Sequence, residues 1–517
     1  MPAVQTTDPP SAPVATSGGA RSRRAAGVEY GLILLALACV EFQAVSLPVR
    51  DVPLGIDWQR YLGNALAIAQ GDWAAYQTWR GPLHPFLCLF LTPVAGRLLE
   101  ASQLVSMLAV AGMLLCTAAL GRRLAGPWAG AGAAWLLAVW PDLALQARMS
   151  TPYPLLAALV VAGLYALNQG IAGDVGVRWP WAVAAGVGFG LAGATDARGL
   201  VFGASALVGT MLAFPVDRRR LAAALAFGGL ALITRAVIIG RLPVQLLSLP
   251  EQIALQRDLH AREAGVAMCV DKRAAAVVVA DLWSACGRET AWRNLVRMVP
   301  MAPWPWGLVA VLAAAGVRRR TLPLLALILT LLPAAFVVGV EHRYLLPLAG
   351  PVAILLVGGL FRTLAVLPGL ARSDSGRFVA ASVLALVFAI GWRTYAHTLM
   401  DRATGRSNEP PSHAQAVRID ALPPIAVARE ALRRAIDSAP TGVAVHVVDC
   451  AGLSLDSRLY PTPVEEASFN GHSSSRCRKL LAEPSSYYTF ILARSPADPS
   501  WIVLDDAGAD LRVYVGR

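Results

Sequence analysis

The sequence predicts an all-α polytopic membrane protein with about eleven transmembrane helices and a small C-terminal α/β domain on the outer side. Two observations predict this class. The 517-residue chain is 56% hydrophobic and only 15% charged, which is too little charge to cover the surface of a soluble protein. Apolar runs of about 20 residues recur from Gly31 to about His397, and they are continuous, whereas the strands of a membrane barrel alternate.

The basic balance of the chain has a membrane explanation. The net charge of +12 could indicate a nucleic acid partner, but no basic stripe with interleaved aromatic residues is present. The arginines instead occupy short clusters between apolar runs, which is typical of cytoplasmic loops. We therefore expect no nucleic acid partner, and we expect membrane lipids around these charges.

A polar, basic segment opens the chain. Residues 1–27 are rich in Pro, Ser, Thr and Ala and end in the basic stretch 21–24, so we expect them to be disordered and cytoplasmic. The apolar run from Val28 to about Leu47 is too long for a signal-peptide core and lacks a convincing cleavage site. It is predicted to be a retained first helix.

The arginine clusters predict the topology, because Lys and Arg concentrate in cytoplasmic loops. One threading puts every cluster inside, with the N-terminus inside and the C-terminus outside. It requires 83–98 to be a juxtamembrane or half-buried segment on the outer side, and Pro82, Pro85 and Pro93 support an interrupted helix there. The predicted helices lie near 28–48, 102–121, 127–144, 153–170, 180–196, 199–215, 221–240, 303–317, 321–340, 345–361 and 378–397. Together they form a membrane domain over 28–397.

The outer regions follow from this threading, and the two long ones are 49–101 and 241–302. The shorter ones are 145–152, the turns Thr195-Asp196-Ala197-Arg198 and Glu341-His342-Arg343-Tyr344, and the tail after His397.

Four cysteines fall as two pairs in two outer regions. Cys269 and Cys286 share the loop 241–302, and Cys450 and Cys477 share the tail. Even pairing in an oxidising compartment favours the disulfides Cys269–Cys286 and Cys450–Cys477, with four free thiols as the alternative.

The tail changes character after the last apolar run. Residues 398–424 are polar and proline-rich, as in a linker. An amphipathic helix is predicted over Ile425–Ser438, and strands are predicted at Val443–Val448, Tyr487–Leu492, Trp501–Leu504 and Leu511–Val515. Residues 425–517 are therefore predicted to form a small α/β domain outside the membrane.

An acid beside an apolar helix is the leading catalytic candidate. From Asp57 to about Ala69 the pattern is helical, and Arg60, Tyr61 and Asn64 share a face with Asp57. An interfacial helix fits this pattern, with its polar face towards the space above the bundle. Asp57 is then either a general base or only the cap of this helix. A capping position lowers the pKa of a carboxylate and weakens it as a base.

Further polar residues lie on the same predicted face. Arg80 and His84 flank Pro82, and Arg80 could hold a lipid phosphate or only an ordinary headgroup. Asp51 is a second nearby acid or a loop residue. Asp142 lies about one turn inside the membrane boundary and needs a partner there, for which Arg148 is a candidate.

The turn Glu341-His342-Arg343-Tyr344 separates two long apolar helices. A tight turn needs only Gly, Asn or Ser, whereas a Glu-His-Arg run at the membrane edge can hold a phosphate or a sugar. The alternative is a headgroup anchor with a belt tyrosine.

From about Gly27 to His397 the chain resembles the GT-C superfamily of membrane glycosyltransferases. It is most similar to the bacterial branch related to protein O-mannosyltransferases and lipid A aminoarabinose transferases. The resemblance is carried by Asp57-Trp58-Gln59-Arg60-Tyr61, Gly71-Asp72-Trp73, Arg80…Pro82…Pro85, Gly121-Arg122-Arg123-Leu124-Ala125-Gly126, Pro303-Trp304-Pro305-Trp306 and His342-Arg343-Tyr344-Leu345-Leu346-Pro347.

The resemblance implies an inverting transfer of a sugar from a polyprenyl phosphate on the outer face of a bacterial cytoplasmic membrane. Asp57 is then the catalytic carboxylate that takes the proton of the acceptor hydroxyl. Arg80 or Arg343 would stabilise the leaving phosphate. The acceptor would be a lipid, glycan or protein of the cell envelope.

The sequence also departs from that pattern. No acid follows Thr151 where relatives often carry one, and Tyr153 stands nearby. His84 replaces an expected aromatic residue or lysine. No cofactor is implied with certainty. A divalent metal stays open, although no acidic cluster demands one.

Two other functions stay open. A lipid-linked glycan ligase or polymerase would use a pyrophosphate-linked glycan as its donor. A lipid or polysaccharide transporter would carry internal repeats and charged residues near the midplanes of several helices.

Overall fold

A computed structural model describes the helical part of the chain and one β-sheet. The described residues are 18–46, 58–73, 76–78, 80–96, 98–148, 150–171, 176–246, 306–330, 342–365, 374–403, 445–449, 464–468, 488–493, 502–508 and 511–516.

Fourteen α-helices lie in the described residues. They are α1 (Gly18–Ser46), α2 (Trp58–Gln70), α3 (Leu83–Ala95), α4 (Leu98–Ala125), α5 (Ala129–Ala138), α6 (Pro141–Arg148), α7 (Tyr153–Gly170), α8 (Trp179–Thr195), α9 (Arg198–Ala213), α10 (Arg218–Ile239), α11 (Trp306–Gly316), α12 (Leu322–Leu329), α13 (His342–Leu364) and α14 (Asp374–Ala403). A short 3₁₀ helix, Arg319–Thr321, precedes α12.

The chain is a multi-pass membrane protein. Among the described helices, five are long and apolar enough to cross a membrane: the apolar parts of α1 and α13, and the whole of α4, α7 and α10. Large apolar side chains such as Leu225, Leu232 and Ile233 on α10 are 60% or more exposed, as expected of a lipid-facing surface. The predicted count of eleven spans stays a prediction.

The core lies where α7 and α8 meet their neighbours. The Phe189 side chain of α8 is fully buried and meets the Phe227 ring of α10 edge-on, with 5.6 Å between the ring centroids. Gly163 of α7 and Gly203 of α9 lie against the Phe189 ring, and a Cβ at either position would stand within 3 Å of it. Glycines on both neighbours therefore make the space that this ring fills.

Backbone contact joins α11 to α13. A Cβ on Gly316 would lie 2.1 Å from the carbonyl oxygen of Leu355, and one on Gly359 would lie 1.8 Å from that of Leu312. Only glycine allows the two helices to approach this closely, which is how small residues drive helix association within a membrane.

Arg122 and Arg362 lie at one end of the bundle, which is called the arginine end. Arg122 of α4 pairs with the buried Glu29 of α1 at 3.6 Å. Arg362 in the last turn of α13 donates to the carbonyls of Ala315 and Val317, each at 3.3 Å. Close contact of Gly358 with Ala125 brings these two helix ends together. The helices α7, α9 and α13 begin at the other end, called the site end.

The segment α3 is a short apolar helix. Its 13 residues give a length of about 20 Å, which is less than the hydrocarbon thickness of about 30 Å. The His84 ring in its first turn lies 3.4 Å from the Ser102 hydroxyl in the first turns of α4, and only 96–97 separate the two helices. Both ends of α3 therefore lie near the start of α4. The juxtamembrane placement of 83–98 stays a prediction.

Several predicted boundaries differ from the structure, and three of them are instructive. The helix α1 begins at Gly18, so the last ten residues of the expected disordered segment are helical. The predicted helix 127–144 ends at Ala138 and resumes at Pro141, because proline has no amide hydrogen for a continuing helix. The expected linker begins inside α14, which continues to Ala403.

A five-stranded mixed sheet lies in the tail. Its strands are β1 (Val445–Asp449), β2 (Val464–Ser468), β3 (Tyr488–Ala493), β4 (Ile502–Gly508) and β5 (Leu511–Gly516), in the order β2-β1-β3-β5-β4. The strand β1 pairs in parallel with β2 and β3, and β5 pairs antiparallel with β3 and β4. The strand β2 has no predicted counterpart. The predicted helix Ile425–Ser438 lies outside the described residues, so the α/β domain stays a prediction.

Candidate active site

Three tyrosines and two arginines meet at the site end, and they are called the arginine–tyrosine cluster. The Arg80 guanidinium carbon lies 3.7 Å from the centre of the Tyr61 ring. The Tyr61 hydroxyl lies 3.1 Å from that of Tyr153. The Tyr153 and Tyr344 rings meet edge-on at 5.4 Å. The Arg198 guanidinium carbon lies 4.4 Å from the Tyr344 ring centre and 5.3 Å from the Tyr153 ring centre.

Backbone and side-chain contacts position Arg80. The Tyr76 hydroxyl donates to the Arg80 carbonyl at 3.1 Å, and the Arg80 Nε donates to Gln77 Oε1 at 3.2 Å. The Asn64 amide in turn accepts from the Gln77 backbone N–H at 2.8 Å and donates to the Gln77 carbonyl at 3.3 Å. A helix and a loop thus hold one arginine, whose side chain is 4% exposed.

These contacts correct the prediction for α2. Its polar face was expected to look into open space, but Asn64 is fully buried against the loop and Tyr61 is buried against α3 and α7. Ala69, an apolar residue near the end of α2, is exposed. Contacts with Gln77 in the following loop help to decide which side chains of α2 are buried. The helical pattern alone does not reveal these contacts.

Close backbone contact joins the Arg80 segment to the end of α8. A Cβ on Gly81 would lie 2.2 Å from the Ala194 carbonyl oxygen and 2.5 Å from that of Thr195. This contact brings Arg80 beside the turn that carries Asp196.

The Asp196 carboxylate and Arg198 form a tight pair in that turn. Arg198 Nε donates to Oδ1 at 2.8 Å, Nη2 donates to Oδ2 at 2.7 Å, and the Arg198 backbone N–H donates to Oδ1 at 2.9 Å. Burial raises the pKa of Asp196, but the charge and hydrogen bonds of Arg198, with a smaller contribution from Arg80, outweigh it and hold the pKa below its usual value. Asp196 is therefore charged and orients Arg198 towards the tyrosines.

His84 is a buried neutral group behind Tyr61. Its ring is fully buried, meets the Tyr61 ring edge-on at 6.0 Å and lies 3.7 Å from the Cys88 sulfur. Burial, helped by the Arg80 charge, lowers the pKa of His84 to about 3. The imidazole is therefore uncharged at neutral pH and supports Tyr61, and it supplies no positive charge for a phosphate.

Other predicted residues are placed in part or not at all. Arg148 ends α6 and is buried, with 8% exposed. Arg60 lies in α2, Asp142 in α6, and His342 and Arg343 begin α13, but their side chains lie outside the described part. Beyond the described residues lie Asp51, Asp57, Glu341 and the four paired cysteines Cys269, Cys286, Cys450 and Cys477. Their roles stay predictions.

Sequence reasoning missed two members of the site. Asp196 and Arg198 belong to a predicted outer turn. Their position on the same side as the other candidate residues was the one signal that could have identified them. Tyr153 was noted only as a residue beside an absent acid. In the structure, Arg198 lies near the Tyr153 ring, and Arg198 is paired with Asp196.

The arginine–tyrosine cluster can bind an anion that carries an apolar group. Guanidinium groups bind phosphate oxygens through paired N–H donors, and phenolic hydroxyls add further donors. The two arginines stand on opposite sides of the tyrosines, since Arg80 lies over Tyr61 and Arg198 over Tyr344. Among the described residues, no group of three or more His, Cys, Asp or Glu side chains could hold a metal ion.

Comparisons with known proteins agree with this architecture. Residues 79–242 match the family model of dolichyl-phosphate-mannose-protein mannosyltransferase, a region that includes Arg80, Tyr153 and Arg198. The structure of ArnT from Cupriavidus metallidurans bound to undecaprenyl phosphate is 15% identical, covers 95% of this chain and 98% of that one, and has a TM-score of 0.55. The structure of the same protein in the apo state is also 15% identical, covers 96% of this chain and 98% of that one, and has a TM-score of 0.54.

An archaeal structure is also similar to a lower degree. The apo oligosaccharyltransferase of Archaeoglobus fulgidus is 14% identical over 81% of this chain and 62% of that one, with a TM-score of 0.49. No curated protein sequence matches the chain significantly.

The chain is a multi-pass membrane protein whose fold is similar to that of ArnT. The predicted resemblance to the branch of protein O-mannosyltransferases and aminoarabinose transferases is confirmed by the matched family model and by the similarity to ArnT along almost the whole chain. Structural similarity at 15% identity establishes the fold alone. The reaction is therefore a matter for proposal.

Proposed function

We propose that the protein is an inverting glycosyltransferase. It moves a monosaccharide from a polyprenyl phosphate to a hydroxyl acceptor at the outer face of a bacterial cytoplasmic membrane. The arginine–tyrosine cluster is the observation that carries this proposal. It places two guanidinium groups and three phenols at one end of a GT-C bundle, where the phosphate of a lipid-linked donor would be held.

The binding step is assigned to Arg80 and Arg198. An ArnT structure holds undecaprenyl phosphate, and a phosphate with a long lipid chain is the ligand that such a cationic group beside apolar helices suits. Both arginines are pre-positioned, Arg80 by the Tyr76–Gln77 loop and Arg198 by Asp196. Pre-positioned charge stabilises a leaving phosphate without reorganisation during the reaction.

The chemical step is assigned to Asp57, which precedes α2 directly in the sequence, one helical turn before Tyr61. Its carboxylate takes the proton of the acceptor hydroxyl, and the acceptor oxygen attacks the anomeric carbon. The bond between that carbon and the phosphate oxygen breaks, and polyprenyl phosphate leaves as an anion. No acid catalyst is required, because the leaving group is already a stabilised phosphate. Arg60, His342 and Arg343 remain candidates for contacts with the sugar or phosphate.

Binding and chemistry are tested separately in the purified full-length chain. Undecaprenyl phosphate is the probe for binding, measured by native mass spectrometry. Replacing Arg80 or Arg198 by glutamine should weaken binding about 10- to 100-fold, since a charged hydrogen bond contributes about 1.5–3 kcal/mol. Arg241→Gln is the matched control, because Arg241 is an exposed arginine at the end of α10 outside the cluster. Equal loss in all three variants would contradict the assignment of the cluster.

The base is tested by Asp57→Asn. This variant should keep its affinity for undecaprenyl phosphate and lose about 100- to 10,000-fold in transfer rate, measured with undecaprenyl-phosphate monosaccharides and mass spectrometry of the products. A transfer rate close to that of the unmodified chain would refute the mechanism. Transfer from a pyrophosphate-linked glycan instead would indicate a ligase or polymerase, and lipid scrambling without transfer would indicate a transporter.

A further inference from the structure

Two arginine triplets, far apart in the sequence, meet at the arginine end. Arg218–Arg220 begin α10, and Arg318–Arg320 precede α12. Arg220 Nη1 donates to the Pro215 carbonyl at 2.9 Å, and Arg319 Nε donates to the Ala213 carbonyl. This group of six arginines is called the arginine patch.

Phe214 lies between the two triplets. The Arg220 guanidinium carbon lies 5.5 Å from the centre of its ring, and that of Arg319 lies 5.6 Å away. The ring is buried, with 7% exposed. The guanidinium groups of Arg220 and Arg319 both contact the Phe214 ring, and these contacts hold the two triplets at a defined separation. A general excess of arginine in cytoplasmic loops does not require such an arrangement.

The exposed charge of the patch is strongly one-sided. Arg218, Arg219, Arg318 and Arg319 have exposed side chains. The segments 214–221 and 317–321 contain a single acid, Asp217. Its carboxylate caps α10 by accepting from the Arg220 backbone N–H at 2.7 Å, so it is engaged locally. The surface therefore presents several positive charges to an incoming anion.

Apolar side chains adjoin the patch and are open to the surroundings. Leu212 is 76% exposed, Val216 59%, Leu221 50% and Leu225 69%. Exposed apolar residues directly beside exposed arginines match the two parts of a phospholipid, its headgroup phosphate and its acyl chains.

The helix α9 separates this patch from the candidate active site. It runs for 16 residues from Arg198 in the cluster to Ala213 at the patch, a length of about 24 Å. The two arginine groups thus lie near opposite surfaces of the hydrocarbon layer, and the patch does not belong to the substrate site.

We infer that the arginine patch binds the phosphate headgroup of an anionic phospholipid in the leaflet opposite to the active site. The lipid contacts the exposed arginines with its phosphate and covers the neighbouring leucines and Val216 with its acyl chains. It thereby ties the α9–α10 turn to the start of α12.

The test compares two double variants of the full-length chain in detergent. Arg218→Gln with Arg318→Gln removes two exposed charges of the patch. Arg178→Gln with Arg241→Gln removes two exposed arginines elsewhere and is the matched control. Binding of phosphatidylglycerol, phosphatidylcholine and inorganic phosphate is measured by native mass spectrometry and by the shift in the melting temperature.

The unmodified chain and the control should bind phosphatidylglycerol and be stabilised by it, and 0.5 M salt should weaken the effect. The patch variant should bind it about 30-fold more weakly, which is about 2 kcal/mol for two arginines near an anionic surface. If the patch variant and the control variant bound phosphatidylglycerol with equal affinity, the inference would be overturned. It would also be overturned if the unmodified chain bound phosphatidylcholine as tightly as phosphatidylglycerol. If inorganic phosphate raised the melting temperature as much as phosphatidylglycerol does, the patch would be a simple anion site and the lipid assignment would be overturned.

Discussion

Replacing Gly81 by alanine tests how the candidate site is assembled. A Cβ at this position would lie 2.2 Å from the Ala194 carbonyl oxygen and 2.5 Å from that of Thr195. An ordinary contact of this kind begins at 3.4 Å, so the two backbones must separate by about 1 Å. Neither partner is the flexible end of a side chain. The strain therefore falls on the contact that holds Arg80 beside the Asp196 turn.

Two magnitudes follow from this displacement. Inserting a methyl group into a tightly packed contact costs about 1–3 kcal/mol of folding free energy. Moving a positioned group by about 1 Å costs about 100-fold in rate, because reacting groups must hold their geometry. We therefore expect the variant to fold with a lower melting temperature and to transfer sugar about 100-fold more slowly, with weaker binding of undecaprenyl phosphate.

The assay measures the melting temperature, binding of undecaprenyl phosphate and transfer rate in the same preparation. Gly112→Ala is the control, because a Cβ on this α4 glycine would meet nothing within 4 Å. Alanine there should leave all three quantities nearly unchanged or raise the melting temperature slightly. If Gly81→Ala transfers sugar as fast as the control, the docking of the Arg80 segment on α8 does not position the site.

Two further predictions concern the groups around Arg80. Asn64→Ala removes both hydrogen bonds to the Gln77 backbone and should destabilise the fold by about 2–3 kcal/mol; a melting temperature equal to that of the unmodified chain would contradict this role. His84 has its pKa lowered from 6.5 to about 3, so the unfolded chain binds the proton first and stability should fall as the pH falls from about 6.5 towards 3. The His84→Asn variant should lose this part of the acid sensitivity in melting curves at pH 4.5 and 7.5, while an unchanged slope would show that His84 does not titrate in this way.

Much of the helical architecture was predictable, because apolar runs and arginine clusters are local signals. The helix α7 has the predicted bounds of 153–170, and α10 begins and ends within three residues of the predicted 221–240. Breaks were harder to place. The interruption after Ala138 follows from Pro141, whereas the start of α1 at Gly18 is not marked by the hydrophobic pattern.

The candidate site was only half predictable. Arg80 and Tyr344 were selected because polar residues at the rim of apolar helices need a reason to be there. Asp196 and Arg198 stood in a turn too short to attract attention, and Tyr153 resembles an ordinary belt tyrosine. Their relation depends on distances between helices, such as the 4.4 Å between Arg198 and the Tyr344 ring, and these helices are far apart in the chain.

The sequence by itself determined that this chain crosses a membrane several times, because hydrophobicity acts residue by residue. It also predicted that the arginine clusters between the apolar runs lie on one side. The tertiary structure alone decided which polar residues meet. Gly81 brings Arg80 against the end of α8, and Phe214 brings two arginine triplets together across about a hundred residues of sequence. Close approach and ring stacking are properties of packed helices, so no pattern within a single segment reveals them.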